Sequence, residues 1–218
     1  MSEKVCSPLR TDAERNRERI VAAARRLVSR EGLGVSMTAV AREAGVGNAT
    51  LFRRFGTRER LIDAVFLDRV EAHHRLVTAC SDDPDPWQGF ADYVRCVCAL
   101  QAADPTFVEA LTMTFPAGVV ETRRAAAARG ALGLISRAQQ AGCLREDFSD
   151  RDLTVLLLAN AGVVGAAGTA AGIASRRLVA QMLRAYATPD APVTPLPEAP
   201  PRPALYHAMI GLIRSRPA

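Results

Sequence analysis

Lysine is almost missing from this 218-residue chain, with Lys4 alone beside 27 arginines, and aromatic residues make up only 5%. Leu and Ala dominate over β-branched and aromatic types, so a sheet-rich fold is not expected and the composition is that of a helical globule. The five cysteines (Cys6, Cys80, Cys96, Cys98 and Cys143) are odd in number and lack CxxC spacing, which speaks against both a disulfide framework and a zinc ribbon. No signal peptide is recognisable at the start, and a reducing cytoplasm is the expected location. There is no GxSxG elbow, no phosphate-binding glycine loop and no paired carboxylate pattern, so the usual hydrolase and nucleotide-handling sites are excluded and no enzyme is expected.

What the chain has is charge in one place. Residues 1–60 hold thirteen basic and seven acidic side chains, a net of +6, while residues 61–218 come to −1. A general preference for arginine accounts for the missing lysine but not for this segregation. A polyanion-binding head on a near-neutral body does, because attraction to phosphates follows local charge. The uncharged run from Leu153 to Ile173 is long enough to cross a bilayer. Its glycines and alanines carry little transfer energy, however, and Asn160, Thr154 and Thr169 add polar cost, so it reads as a buried helix and no membrane partner is expected.

The spacing predicts an all-α chain. Thr11 and Glu14 form a capping-box pattern that would start a first helix near Asp12, with Ile20, Ala24, Leu27 and Val28 inward and Gly32 and Gly34 at its end. Ser36 caps a short second helix (Val40, Ala41 and Ala44 inward) ended by Gly45. A third begins near Asn48, with Leu51 and Phe55 inward and Gly56 as its stop. Thr57 caps a long fourth helix that runs to the 81–86 turn as a rod between head and body. Further helices are expected at 87–103, 105–115, 117–140, 149–169, 175–187 and 205–213, with turns at Asp104, Pro116, Gly142 and Gly172 and an extended proline-rich strap over 188–203. The domains expected are 1–60, 61–187 and 188–218.

Two short helices joined by a turn at Gly45, Val46 and Gly47, behind a longer helix, fit a helix-turn-helix, though an ordinary αα corner fits them too. The whole string RIVAAARRLVSREGLGVSMTAVAREAGVGNATLFRRFGTRERLIDAVF resembles the DNA-binding domain of the TetR (tetracycline repressor) family, most distinctively in AGVGNATLFRRF and the following TRERL. The resemblance implies an N-terminal three-helix DNA-binding domain joined by a long helix to a C-terminal ligand-binding and dimerisation domain. It implies a ligand-responsive regulator, by family default a repressor, binding a palindromic operator in double-stranded DNA as a homodimer. By position it implies that Thr38, Gly47, Asn48, Ala49, Thr50, Phe52, Arg53 and Arg54 face DNA and that Arg58 meets a phosphate. The chemistry agrees, since Asn reads adenine, Arg reads guanine or clamps phosphate, and Thr contacts a thymine methyl. Three positions depart from the family pattern: Gly47 where Ser often caps, Ala49 where Gly is frequent, and Phe52 where Tyr is usual. Arg10, Arg15, Arg17 and Arg19 are either an arm toward neighbouring phosphates or a solvated helix face.

In the body, Trp87, Phe90, Tyr93, Val94, Phe107, Met113, Phe115 and Leu132 are a loose set of large apolar residues, read either as plain core or, by the resemblance, as lining the pocket of an unknown small-molecule inducer. Leu156, Ala159, Gly162, Gly165, Ala166, Leu178, Met182 and Leu183 are the dimer-interface candidates, with completion of the same subunit's core as the competing reading. His73 and His74 point about 100° apart on a helix, and Cys96 and Cys98 lie on nearly opposite faces, so neither pair closes a metal site alone, and buried or surface structural roles are expected ahead of a metal sensor or a cysteine redox sensor. No metal or cofactor is expected. The competing class is a helical enzyme or ligand carrier whose N-terminal helices serve only as structure.

Overall fold

A computed structural model describes residues 8–104, 107–112, 115, 118–192 and 194–214. Among them are ten α-helices and one 3-10 turn, and the sole β-type pairing is the antiparallel bridge between Leu144 and Ala187. The helices are α1 (Pro8–Glu31), α2 (Met37–Ala44), α3 (Asn48–Phe55), α4 (Arg58–Ser81), α5 (Pro86–Ala103), α6 (Phe107–Thr112), α7 (Val119–Gln140), α8 (Asp150–Ala166), α9 (Ala171–Tyr186) and α10 (Arg202–Arg214). No helix of the described residues is long and apolar enough to cross a membrane.

The chain divides into two compact units, one of Met1–Val70 with Met113–Thr122 and the other of Glu71–Thr112 with Arg123–Ala218. The core of the first is built where the periodicity puts it. Ile20, Leu27 and Val28 of α1, Val40 and Ala44 of α2, Leu51 and Phe55 of α3, and Leu61, Ile62 and Val65 of α4 are all buried. Phe66 adds an aromatic pair with Phe115 at 5.0 Å between ring centroids.

The second unit is centred on α5, whose Trp87, Phe90, Tyr93, Val94, Val97 and Cys98 are buried. Asp85 caps α5, its carboxylate accepting from the backbone N–H of Trp87 at 2.9 Å and of Gln88 at 3.1 Å. Three buried polar side chains lock α5, α8 and α9 together. Asn160 donates to Gln101 Oε1 at 2.8 Å and to the Cys98 carbonyl at 3.2 Å, and Ser175 donates to Asn160 Oδ1 at 2.7 Å. Gln101 Nε2 finishes the set on the Leu157 carbonyl at 2.9 Å. Each group is satisfied, which is what a polar cluster buried to this degree requires. Gly130 of α7 packs against Val77 of α4 so closely that a Cβ there would overlap the valine side chain.

Several boundaries differ from the sequence expectation. Helix α1 starts at Pro8, so Thr11 lies inside it rather than at its cap. The break after α8 falls at Gly168, with φ +52°, followed by the 3-10 turn Gly168–Ala170, and Gly172 lies inside α9. A glycine near the end of an apolar run marks a stop only if the backbone needs a left-handed residue there, and Gly172 does not. Helix α6 is described over Phe107–Thr112, and Phe115, the expected last residue of this helix, lies outside it. Helix α10 begins at Arg202 and takes Pro203 into its first turn, where a missing N–H costs nothing. The 188–201 stretch contains no helix among its described residues.

Candidate nucleic-acid interface

The turn between α2 and α3 is set by a glycine. Gly45 has φ +64°, a left-handed conformation that L side chains avoid, and it lets the N–H groups of Gly45 and Val46 turn back onto the carbonyls of Arg42 (3.1 Å) and Ala41 (3.0 Å). Ser36 caps the other end of α2 by accepting from the Ala39 N–H at 3.1 Å. From α1, Arg19 donates to the Ala44 carbonyl at 2.8 Å, adding a cation at the C-terminus of α2. Arg26 and Arg30 reach Glu43 at 3.0 and 3.8 Å. Arg19, one of the four arm candidates, is therefore held against the end of α2, where it braces the angle at which α3 leaves the turn. The Arg10 side chain lies outside the described residues.

Helix α3 buries one face and presents the other. Leu51 and Phe55 are 0% and 6% exposed, while Ala49 and Arg53 stand on the opposite side at helical spacing. Asn48, Ala49, Phe52, Arg53 and Arg54 are exposed and Thr50 is half-buried; Thr38 on α2, Gly47 at the start of α3 and Arg58 at the start of α4 are exposed as well. Phe52 is 48% exposed, a large apolar ring with no packing role to account for it. Gly47 occupies the N-cap of α3 without a side chain to cap it. Arg54 Nη2 lies 3.5 Å from the carboxylate of Glu14 on α1, a pairing that spacing along the sequence gave no reason to expect. At the start of α4, Thr57 accepts from the Arg60 N–H at 3.3 Å, and Arg58 sits 3.9 Å from Glu59.

In the second unit, the aromatic set does not close around one space. Phe90, Tyr93, Val94 and Phe107 are packed into the hydrophobic core, Leu132 is 50% exposed, and only Trp87 of the group lines the large cavity. Phe115 belongs to the first unit, and Met113 lies outside the described residues. The cavity, about 1190 Å³, instead lies between α5, α9 and the strap that follows α9, a place to which no periodicity pointed. His73 is 6% exposed, with Nε2 3.0 Å from the Tyr93 hydroxyl, and burial pushes its imidazole down to about 4. The Cys98 thiol is pushed up to about 12 by burial. Among the described residues no three His, Cys, Asp or Glu side chains gather as a metal-holding group.

The α8 residues divide by face. Val155, Leu158, Ala159 and Gly162 are exposed and Ala166 is half-buried, all within one arc of about 100°. Val155 and Leu158 are 60% and 67% exposed, and neither was among the sequence candidates, because an apolar residue in an apolar run carries no sign of which face it takes. Gly165 is exposed just beside the same stripe. Leu156 stands on the opposite face and is fully buried in its own chain's core, as is Leu183 of α9, so both leave the interface set. Leu178 and Met182 pack partly buried against that core.

A short helix held by a glycine turn against a bracing helix, with its polar and basic face outward, defines a helix-turn-helix DNA-binding protein. Residues 20–65 match the family described as bacterial regulatory proteins, tetR family. The structure shares its fold with a TetR family transcription regulator from Marinobacter aquaeolei VT8 (17% identity, 83% of this chain and 99% of that one, TM-score 0.58). In sequence it is 28% identical to a TetR transcriptional regulator from Streptomyces coelicolor over 79% of this chain and 99% of that one, with a TM-score of 0.47. Residues 20–65 are thus a DNA-binding domain of the TetR type, which marks the chain as a transcription regulator.

Proposed function

We propose that the protein is a cytoplasmic, non-enzymatic repressor that binds a palindromic operator as a homodimer and is released when a small molecule occupies its second unit. The observation that carries this reading is the outward face of α3. Asn48, Ala49, Thr50, Phe52 and Arg53 enter the major groove, with Asn48 suited to an adenine edge and Arg53 to guanine or phosphate. Thr38, Gly47, Arg54 and Arg58 meet the backbone on either side. Phe52 offers no phenolic hydroxyl to a phosphate, so its contact is apolar, with a thymine methyl or sugar. One such helix reads too few base pairs for useful specificity, and two heads spaced by a helical turn or a multiple of it, about 34–36 Å per turn, supply the rest.

The exposed apolar stripe of α8 supports pairing with a second copy. Leu158 and Val155 surrounded by Ala159 and Gly162 offer large side chains beside small ones, which allows two backbones to approach. Selection of bound sites from random duplex DNA tests the function. A palindrome with two equivalent half-sites is the expected outcome, and featureless binding would remove the reading in favour of a carrier or enzyme. Sedimentation of Leu158→Arg checks the assembly, with loss of the dimer and of high-affinity operator binding expected together.

A further inference from the structure

We infer that the cavity under the C-terminal strap binds an amphipathic organic anion, a compound with an apolar ring or chain and one acidic group. Its floor is apolar, with Val179, Ala180 and Leu183 of α9 facing Ala99 and Ala103 of α5. The small α5 side chains leave the space open, and the roof is a segment stiffened by Pro189, Pro192, Pro195 and Pro197 that crosses the gap without folding into it. At about 1190 Å³ the cavity is somewhat larger than the roughly 300–1,000 Å³ usual for small-molecule sites.

The charge around this space is of one sign. Among the described residues Arg95, Arg145, Arg176 and Arg184 line it and no carboxylate does. Arg95 and Arg145 are neutralised from outside, by Asp92 at 2.7 Å and Asp147 at 2.9 Å. Arg184 gives its Nε to the Thr194 carbonyl of the strap at 3.1 Å and has no acidic partner among the described residues. Arg176 has neither a hydrogen bond nor an ion pair to any described residue, and its guanidinium lies over Gly172 at the cavity wall. Arg176 and Arg184 are eight residues apart on α9, about 12 Å along one face, so an acid group at either end of an apolar body meets a guanidinium. A cation would be repelled. A sugar would find few polar partners, since Ser175, the buried hydroxyl at the wall, already donates to Asn160.

The strap is fastened to the same cations. Arg95 Nη2 donates to Thr194 Oγ1 at 3.3 Å and Arg184 to the Thr194 carbonyl, while Arg177 holds the Pro197 carbonyl. An acid that takes Arg184 therefore competes with the strap for its anchor, and occupancy and strap position are linked. Binding itself does not depend on DNA recognition; only its effect on operator affinity rests on the sensing role proposed above.

The probe is 1-anilinonaphthalene-8-sulfonate, with N-phenyl-1-naphthylamine as the same ring system without the acid. Fluorescence titration of the full chain is expected to give one sulfonate per chain, bound at least tenfold more tightly than the neutral amine. The double variant Arg176→Gln and Arg184→Gln should lose at least tenfold for the sulfonate and leave the amine unchanged. Ala180→Trp and, separately, Ala103→Trp should abolish sulfonate binding by filling the space, with circular dichroism melting verifying that at least one of them is folded. Equal affinity of the parent for the two compounds, or full sulfonate binding retained by a folded filled variant, would overturn the site. If the sulfonate binds as expected and operator affinity does not move, the site stands and the sensing role falls.

Discussion

Replacing Glu14 by Gln should tighten operator binding, although it removes an ion pair. In the free protein the Glu14 carboxylate lies 3.5 Å from Arg54 Nη2, with side-chain exposures of 60% and 37%. An exposed pair of this kind contributes about 0–1 kcal/mol to folding, so the loss to stability is small. For DNA binding the sign reverses. An acidic group beside the reading helix repels phosphates by about 0.4 kcal/mol at 10 Å in water, before screening with a Debye length of about 8 Å at physiological salt. It also holds an arginine that a phosphate would otherwise take. Together these terms come to about 0.3–1 kcal/mol per head, or roughly three- to thirtyfold for two heads. The assay is fluorescence anisotropy of a labelled selected operator at several salt concentrations. Arg54→Ala should weaken binding and flatten the plot of log affinity against log salt by about 0.9 per head. In that background the gain from Glu14→Gln should shrink to its through-space part. Unchanged or weaker binding by Glu14→Gln alone would refute the idea that Arg54 is shared between Glu14 and DNA.

Other expectations concern the scaffold. Gly45→Ala puts a Cβ at φ +64° and 3.2 Å from Arg19 Nη2, and should cost about 1–2 kcal/mol in chemical denaturation as well as operator affinity. Asn160→Leu keeps the volume but strips the partner from Ser175 and from one side of Gln101. A loss of about 1–3 kcal/mol is expected by urea unfolding, and Ser175→Ala in the same background should cost little more. His73, ordinarily near 6.5, is held down to about 4 mainly by burial. Its neutral form favours the folded state fully above pH 6.5, and that contribution is lost as the pH falls toward 4, because the unfolded chain takes up the proton first. Stability from pH 7 to 4.5 should therefore fall by about 2 kcal/mol more in the parent than in His73→Gln, measured by denaturant midpoints.

The three-helix head was legible in the linear chain because its signals are local. Ser36, Gly45 and Gly56 set the ends of α2 and α3, and the spacing of Leu51 and Phe55 assigns the buried face of α3 without reference to anything distant. Once that face is known, the outward set follows by subtraction. Periodicity failed where a helix has no polar face. In α8 the buried residues are Leu153, Leu156, Leu157 and Asn160, while Val155 and Leu158 lie exposed among them. Hydrophobicity alone made Leu156 as good an interface residue as Leu158, and the difference is the presence of α5 and α9 on one side only.

The sequence by itself therefore determined the ends of α2 and α3, the basic charge of the head and the outward face of α3, since each rests on residue types and spacings within a few residues along the chain. Only tertiary structure decided that Arg19 braces α2, that Arg54 is paired with Glu14, and that the aromatic residues of α5 pack as core. It also decided that the strap, coming back across α5 and α9, encloses a basic cavity. Those features join residues 25 to 99 positions apart, as in the Arg19–Ala44 and Arg95–Thr194 contacts. Contacts at such separations are fixed by how helices pack, which no local spacing encodes.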